Sequence, residues 1–244
     1  MKPVEWNKVA EQFLGIEESR TTLVFPRVRE LITGSGVRRL LDYGGGNGSF
    51  ALSCLGLGLE SVATFDPSEV MTELAHQRCQ GTAVGVIHDV EVVPSESFDG
   101  IVMNAVWMCF ETEEDVLENL RTVGRLLPIK GRLICSVTHP CFRDEAFSTF
   151  RTNFDQEEYL SNGVPFDVFI TDGSHSVTIR DTHWNLAGMS RHLDQSGFAI
   201  CRLHEIPDHA NPMGNRAASP WLIVEAMKIT SGDGGRETPG GGLA

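Results

Sequence analysis

Leu40-Leu41-Asp42-Tyr43-Gly44-Gly45-Gly46-Asn47-Gly48-Ser49-Phe50 decides the reading of this chain, because an apolar run ends in an acid and passes straight into a glycine-rich turn. Glycines let the backbone adopt turn conformations and approach a ligand closely, and the amides of a following helix favour an anionic group. The segment therefore reads as a strand, a binding loop and a helix. Two nucleotide-type cofactors match it. Gly46-x-Gly48-x-x-Ala51 satisfies a dinucleotide fingerprint, with Asp66 about twenty residues on to meet a ribose hydroxyl. Asp42 argues the other way, since a carboxylate at the lip of the loop repels a pyrophosphate and attracts an ammonium or sulfonium. A third acid, Asp89, follows the next strand and is placed to accept from an adenine amino group.

Outward from the loop, short β-branched or apolar runs at 37–42, 61–66, 83–88, 98–104, 132–138, 198–203 and 221–227 alternate with helix-length segments. That alternation predicts an α/β fold with a seven-stranded, mostly parallel, Rossmann-like sheet covered on both faces. Ser68 opens one helix, with Val70, Met71, Leu74 and Ala75 expected to face inward. Thr112 and Asp115 form a capping-box pattern at the start of another. Val116, Leu117, Leu120, Val123 and Leu127 share a face of that helix, and Pro128 ends it. Amphipathic stretches at 4–14 and 21–32 predict an N-terminal helical cap over 1–34. Residues 140–184 form a long aromatic-rich insertion after the fifth strand, with a hairpin of 166–170 and 177–181 around Asp172-Gly173. Insertions of that length commonly act as lids. One domain is expected over 1–230, with a Gly/Pro-rich disordered tail over 231–244.

The 244 residues carry 20 Lys and Arg against 33 Asp and Glu, a formal net charge of −13 that repels phosphate backbones and disfavours nucleic-acid binding. No apolar stretch reaches the roughly 20 residues of a membrane span, and the first residues lack a signal peptide's apolar core, so a cytoplasmic protein without a membrane partner is expected. The six cysteines and eight histidines show no metal-ligand spacing, so no metal site is expected and the cysteines read as mostly buried reduced thiols.

The ordered motifs resemble the class I S-adenosylmethionine-dependent methyltransferases, in the branch that acts on small molecules. The resemblance rests on Leu41-Asp42-Tyr43-Gly44-Gly45-Gly46-Asn47-Gly48, then Phe65-Asp66-Pro67-Ser68 with Met71 and Ala75, then His88-Asp89-Val90. Ser97-Phe98-Asp99-Gly100-Ile101-Val102 and the Leu127-Pro128 turn add to it, although Lys130-Gly131 stands where the family has paired glycines. It implies that S-adenosylmethionine is the cofactor. Gly44, Gly46 and Gly48 would pass under the methionine and ribose, with Tyr43 and Asn47 beside them. Asp42 would face the amino group, Asp66 with Pro67 the ribose, and Asp89 with Val90 the adenine. Asn104 and Ala105 would border the sulfur, and Arg20 would pair with the cofactor carboxylate.

On the acceptor side, the resemblance implies a pocket closed by the N-terminal helices and the insertion, with Trp6 and Phe13 as lid residues. Trp107, Phe142 and Trp184 are candidate walls for an apolar acceptor. His183-Trp184-Asn185 stands where relatives carry His-Arg-Pro, which adds His183 to the candidates. His139, after the fifth strand, has an ordinary pKa near 6.5 and is the candidate general base for an acceptor hydroxyl. The expected reaction is in-line methyl transfer to a small molecule, with oxygen favoured and a peptide carboxylate within range. An NAD(P)-dependent oxidoreductase, or a protein that binds S-adenosylmethionine without transferring its methyl, are the other readings. Acceptor identity and oligomeric state are left open by the sequence.

Overall fold

A computed structural model describes residues 6–7, 20–171, 175–208 and 218–230. Phe13, most of the 4–14 stretch, the turn at Asp172-Gly173 and the 231–244 tail lie outside the described residues.

The predicted runs become a seven-stranded sheet: β1 (Arg39–Tyr43), β2 (Ser61–Phe65), β3 (Val84–Ile87), β4 (Gly100–Asn104), β5 (Arg132–Thr138), β9 (Phe198–Ile206) and β10 (Trp221–Lys228). Its order is β3-β2-β1-β4-β5-β10-β9. The pairs among β1 to β5 are parallel, whereas β10 runs antiparallel to both β5 and β9. The strands progress outward from β1 to β3 and then resume at β4 on the other side of β1. At such a switch point the loops after adjacent strands diverge and leave a crevice at their carboxyl ends. β1 and β4 are buried almost throughout, as strands covered on both faces must be.

Flanking helices are α1 (Phe25–Ser35), α2 (Ser49–Ser53), α3 (Glu69–Cys79), α4 (Glu113–Leu126) and α5 (Leu186–Gln195). A π-helical turn, Arg20–Val24, leads into α1, where Pro26 sits in the first turn, a position at which proline is tolerated. The capping box of α4 forms in full: the Asp115 amide donates to Thr112 Oγ1 (3.1 Å) and the Thr112 amide to Asp115 Oδ2 (3.0 Å). Val116, Leu120 and Val123 are buried as the spacing predicts. α3 starts at its Ser68 cap but is rotated from expectation, burying Met71, Thr72, Ala75 and Cys79 while Val70 and Leu74 are half-buried. The cause is the neighbouring loop, since a Cβ on Gly48 would stand 2.9 Å from Cys79 Sγ.

The insertion builds its own antiparallel sheet, β6 (Phe150–Thr152), β7 (Val164–Thr171) and β8 (Ser176–His183). The hairpin is the predicted one, and β6 is an additional strand along β7. Phe166 and Val168 on β7 face inward with Val177, Ile179, Asp181 and His183 on β8, the period-2 pattern of a half-buried strand. β8 packs on the 3-10 turn Trp107–Cys109 that follows β4, which fixes the insertion sheet to the main one.

Candidate active site

A cavity of about 310 Å³ opens at the carboxyl edge of the main sheet. Its walls come from the glycine loop, the end of β2, the β4 end, Thr138 at the end of β5, and the inward face of the insertion sheet.

The loop is built from β1 upward. The Gly44 and Gly45 amides both donate to the Phe65 carbonyl, at 2.7 and 2.9 Å, tying the loop to β2. Gly45 has no room for a side chain, because a Cβ there would run into Thr64 Oγ1 and the Asp42 carboxylate beneath it. Gly46 differs: its φ is 56°, and a Cβ would meet nothing closer than Met71 Sδ at 3.8 Å. The glycine thus keeps the cavity clear where a ligand passes. The Gly46 amide donates to Asp66 Oδ2 (2.8 Å) and the Ser68 amide to Asp66 Oδ1 (2.9 Å), so two backbone bonds aim this carboxylate. Burial pushes the Asp66 carboxyl up to about 6, the two bonds opposing the shift. Ser68 Oγ in turn reaches Asn7 Oδ1 at 2.5 Å, and Trp6 beside it lines the cavity.

Across the switch point, Asn104 accepts from Ser136 Oγ (3.1 Å), while its buried Nδ2 has no hydrogen-bond partner among the described residues. Ala105 carries a φ of 57°, a left-handed conformation that costs a non-glycine residue energy and turns the chain along the cavity. Open space at Gly46, the aimed Asp66 carboxylate and the orphaned Asn104 donor together fit a nucleoside-type cofactor.

Of the expected cofactor residues, Arg20, Asp42, Gly44, Gly46, Asn47, Asp66, Pro67, Asn104 and Ala105 line this cavity. Tyr43, Gly48, Asp89 and Val90 do not. Tyr43 is buried with its hydroxyl on Asn119 Oδ1 (2.7 Å), and Gly48 serves the contact with Cys79. Asp89 is exposed and its Oδ1 accepts from the Glu91 amide at 2.9 Å, a local turn that holds it away from the walls; Val90 is buried in the core.

The acceptor side needs larger correction. His139 is buried but outside the cavity walls. Its Nδ1 accepts from the Cys141 amide (3.2 Å), which leaves Nε2 to donate to Glu205 Oε1 (3.2 Å). Burial lowers its pKa, with Glu205 opposing. Both nitrogens are committed, so His139 fixes the turn after β5 and stands outside the cavity walls. Trp107, Phe142, His183 and Trp184 are likewise absent from the walls. Trp107 is buried beside His192, and Phe142 packs on His139. Trp184 donates its indole N–H to the Phe110 carbonyl (3.2 Å). His183 bonds the Tyr159 carbonyl (2.9 Å) and stacks on Phe154, and burial lowers its pKa to about 4. These groups join the insertion to the body.

The walls come instead from Phe150, Val168, Ile170, Ile179 and Trp221, with Trp6 retained from the sequence reading. Asp181 interrupts that apolar set. It is 2% exposed, and burial pushes its carboxyl up to about 7, with Arg143 as the main opposing influence. Strand alternation was the available signal, since Val177, Ile179 and Asp181 stand two residues apart on one face. Arg143, also buried, donates to Thr138 Oγ1 (2.8 Å) and lies 4.4 Å over the Phe166 ring.

A family model described as a methyltransferase domain matches residues 16–187. The chain belongs to this methyltransferase family. Solved structures agree on the fold. One similar structure is an S-adenosylmethionine-dependent methyltransferase from Mesorhizobium loti, 23% identical with a TM-score of 0.61 over 83% of this chain and 96% of that one. Another, from Clostridium acetobutylicum, is 12% identical with a TM-score of 0.62 over 92% and 99%. CalS10, an amino pentose methyltransferase from Micromonospora echinaspora solved with S-adenosylmethionine bound, is 14% identical with a TM-score of 0.55 over 84% and 90%. No curated protein matches the chain. The methyltransferase takes its methyl group from S-adenosylmethionine, so the nicotinamide reading of Gly46-x-Gly48-x-x-Ala51 gives way. Among the described residues no helix is long and apolar enough to cross a membrane.

Proposed function

We propose that this methyltransferase methylates an oxygen of a small, largely apolar molecule. The observation that carries the reading is one cavity whose walls join the cofactor loop to the apolar inward face of the insertion sheet. When bound, S-adenosylmethionine supplies an electrophilic methyl on a cationic sulfur. Asp66 would hold the ribose hydroxyls, Asp42 would face the amino group from below the loop, Arg20 would meet the carboxylate, and Asn104 with Ala105 would border the sulfur. The insertion sheet acts as the lid, excluding water and holding the acceptor in line, the positioning from which most of the rate would come.

Charge and polarity favour a neutral hydroxyl. Arg20 and Arg143 both act on Asp181 and disfavour an ammonium beside it, while Asp181 itself disfavours a carboxylate. An amino sugar of the kind CalS10 acts on would find few polar partners along Val168, Ile170 and Ile179.

Calorimetry with S-adenosylmethionine and S-adenosylhomocysteine should show binding that Asp66→Ala abolishes, with NAD giving none. Radiolabelled methyl from S-adenosylmethionine should then enter apolar phenols and alcohols in a screen with matched amines and acids. Products from the amines or acids alone would overturn the oxygen reading.

A further inference from the structure

The cavity is lined by five carboxylates, and four are set apart by their bonding or their placement. Asp42 lies beneath Gly45, Asp66 is aimed by two amides, Asp115 closes the capping box of α4, and Glu111 is exposed. Asp181 remains. Its Oδ1 is buried and accepts no hydrogen bond among the described residues. Where this chain uses an aspartate structurally it pairs it, as Asp99 with the Arg39 guanidinium at 2.7 Å. Arg143, the buried cation that acts on Asp181, donates one hydrogen bond to Thr138 and lays its flat face on Phe166, and its own buried Nε has no partner among the described residues. A buried acceptor left open in a ligand cavity needs a donor from the ligand.

We propose that Asp181 accepts the hydrogen bond of the acceptor hydroxyl and takes its proton during methyl transfer, which makes the substrate class lipophilic molecules with a hydroxyl presented to the insertion sheet. This rests on the oxygen reading above. An oxygen lone pair forms the new O–CH3 bond as the S–CH3 bond breaks and its electron pair leaves with sulfur. The O–H bond breaks, its electrons stay on oxygen, and the proton moves to the Asp181 carboxylate and later to water. The other thiol or acid candidate facing Asp181 is Cys109, whose thiol burial pushes up to about 12, too weak an acid to serve as base at neutral pH. The carboxyl of Asp181, raised to about 7, is matched to the task.

The test uses the full chain saturated with S-adenosylhomocysteine and two probes, 2-naphthol and 2-methoxynaphthalene, which share a ring system and differ in the O–H donor. Calorimetry on the wild type should show 2-naphthol binding at least about tenfold tighter, as expected for a hydrogen bond to a charged group. Asp181→Leu should bind both probes equally. Asp181→Asn, which keeps shape and one acceptor oxygen, should bind 2-naphthol yet transfer methyl to it about a hundredfold or more slowly. Thermal unfolding with S-adenosylhomocysteine verifies that each variant is folded. Equal binding in the wild type, or a preference that survives in Asp181→Leu, overturns the proposal. If hydroxyls are methylated at the wild-type rate by Asp181→Leu, the oxygen reading stands and Asp181 falls; if amines alone are methylated, both fall.

Discussion

Gly45 occupies a position that the glycine motif treats as variable, yet it is the glycine with the least space, set directly above the Asp42 carboxylate. The loop, Asp66, Asn104 and Ala105 were legible because strand ends fix where their backbone goes. Asp89 and His139 were not, because each side chain is captured by an amide two residues on, and sequence spacing does not reveal such turns. Asp66 carries a prediction at this scale. Burial raises its folded pKa to about 6, so it is ionised above that pH and protonated below it. Ribose hydroxyls need the ionised acceptor, so affinity for S-adenosylmethionine should hold at pH 7.5 and weaken as pH falls, by up to about tenfold per unit well below pH 6. Calorimetric titrations at pH 5, 6 and 7.5 check it, and Asp66→Asn should bind weakly with a flat profile.

Among the elements, the seven main strands and the hairpin were readable because their apolar runs have the right length and period. The short β6 was missed, since three residues carry no period and the strand exists only by pairing with β7. The insertion's aromatics were read as acceptor walls because aromatic rings suit ligands, but Trp184 must pair its indole and finds the Phe110 carbonyl. Its role is attachment. Trp184→Ala should cost about 3–5 kcal/mol and speed hydrogen exchange in β7 and β8 before the main sheet. Trp184→Phe should cost about 1 kcal/mol, chiefly the lost hydrogen bond. Exchange rates unchanged in the alanine variant would show that the insertion sheet is held by other contacts.

At the scale of the molecule, the alternation of strands and helices made the α/β class plain, whereas the antiparallel end of the sheet leaves no mark in a list of apolar runs. Charge sets the pH response of the whole. Asp66 and Asp181, raised to about 6 and about 7, bind protons more tightly folded than unfolded. Their contribution to stability is therefore present at low pH and lost as pH rises from about 4 to about 7. Arg143, Arg20 and Cys109 face Asp181, and Arg143 and Arg20 lessen the effect without reversing it. A formal net charge of −13 adds repulsion in the same direction. Buried His139, His183 and His192, whose pKa values burial lowers, pull the other way as pH rises toward about 6.5, so the carboxylates show as a difference: without ligand, going from pH 5 to pH 8 should lower the melting temperature of the wild type by several degrees relative to the same change in the double variant Asp66→Asn with Asp181→Asn. A double variant whose pH dependence matches that of the wild type would contradict the assignment.

The place of β10 has a consequence for how the enzyme comes into being. Among the described strands β9 hydrogen-bonds to β10 alone and β10 bridges it to β5, so a strand synthesised after both of its neighbours is the wedge that joins them. Trp221, its first residue, also closes part of the cavity wall. A nascent chain can assemble the cofactor loop early, but the open β5 edge stays exposed to mispairing until the ribosome has released residues 221–228. Acceptor binding and the end of that hazard arrive together.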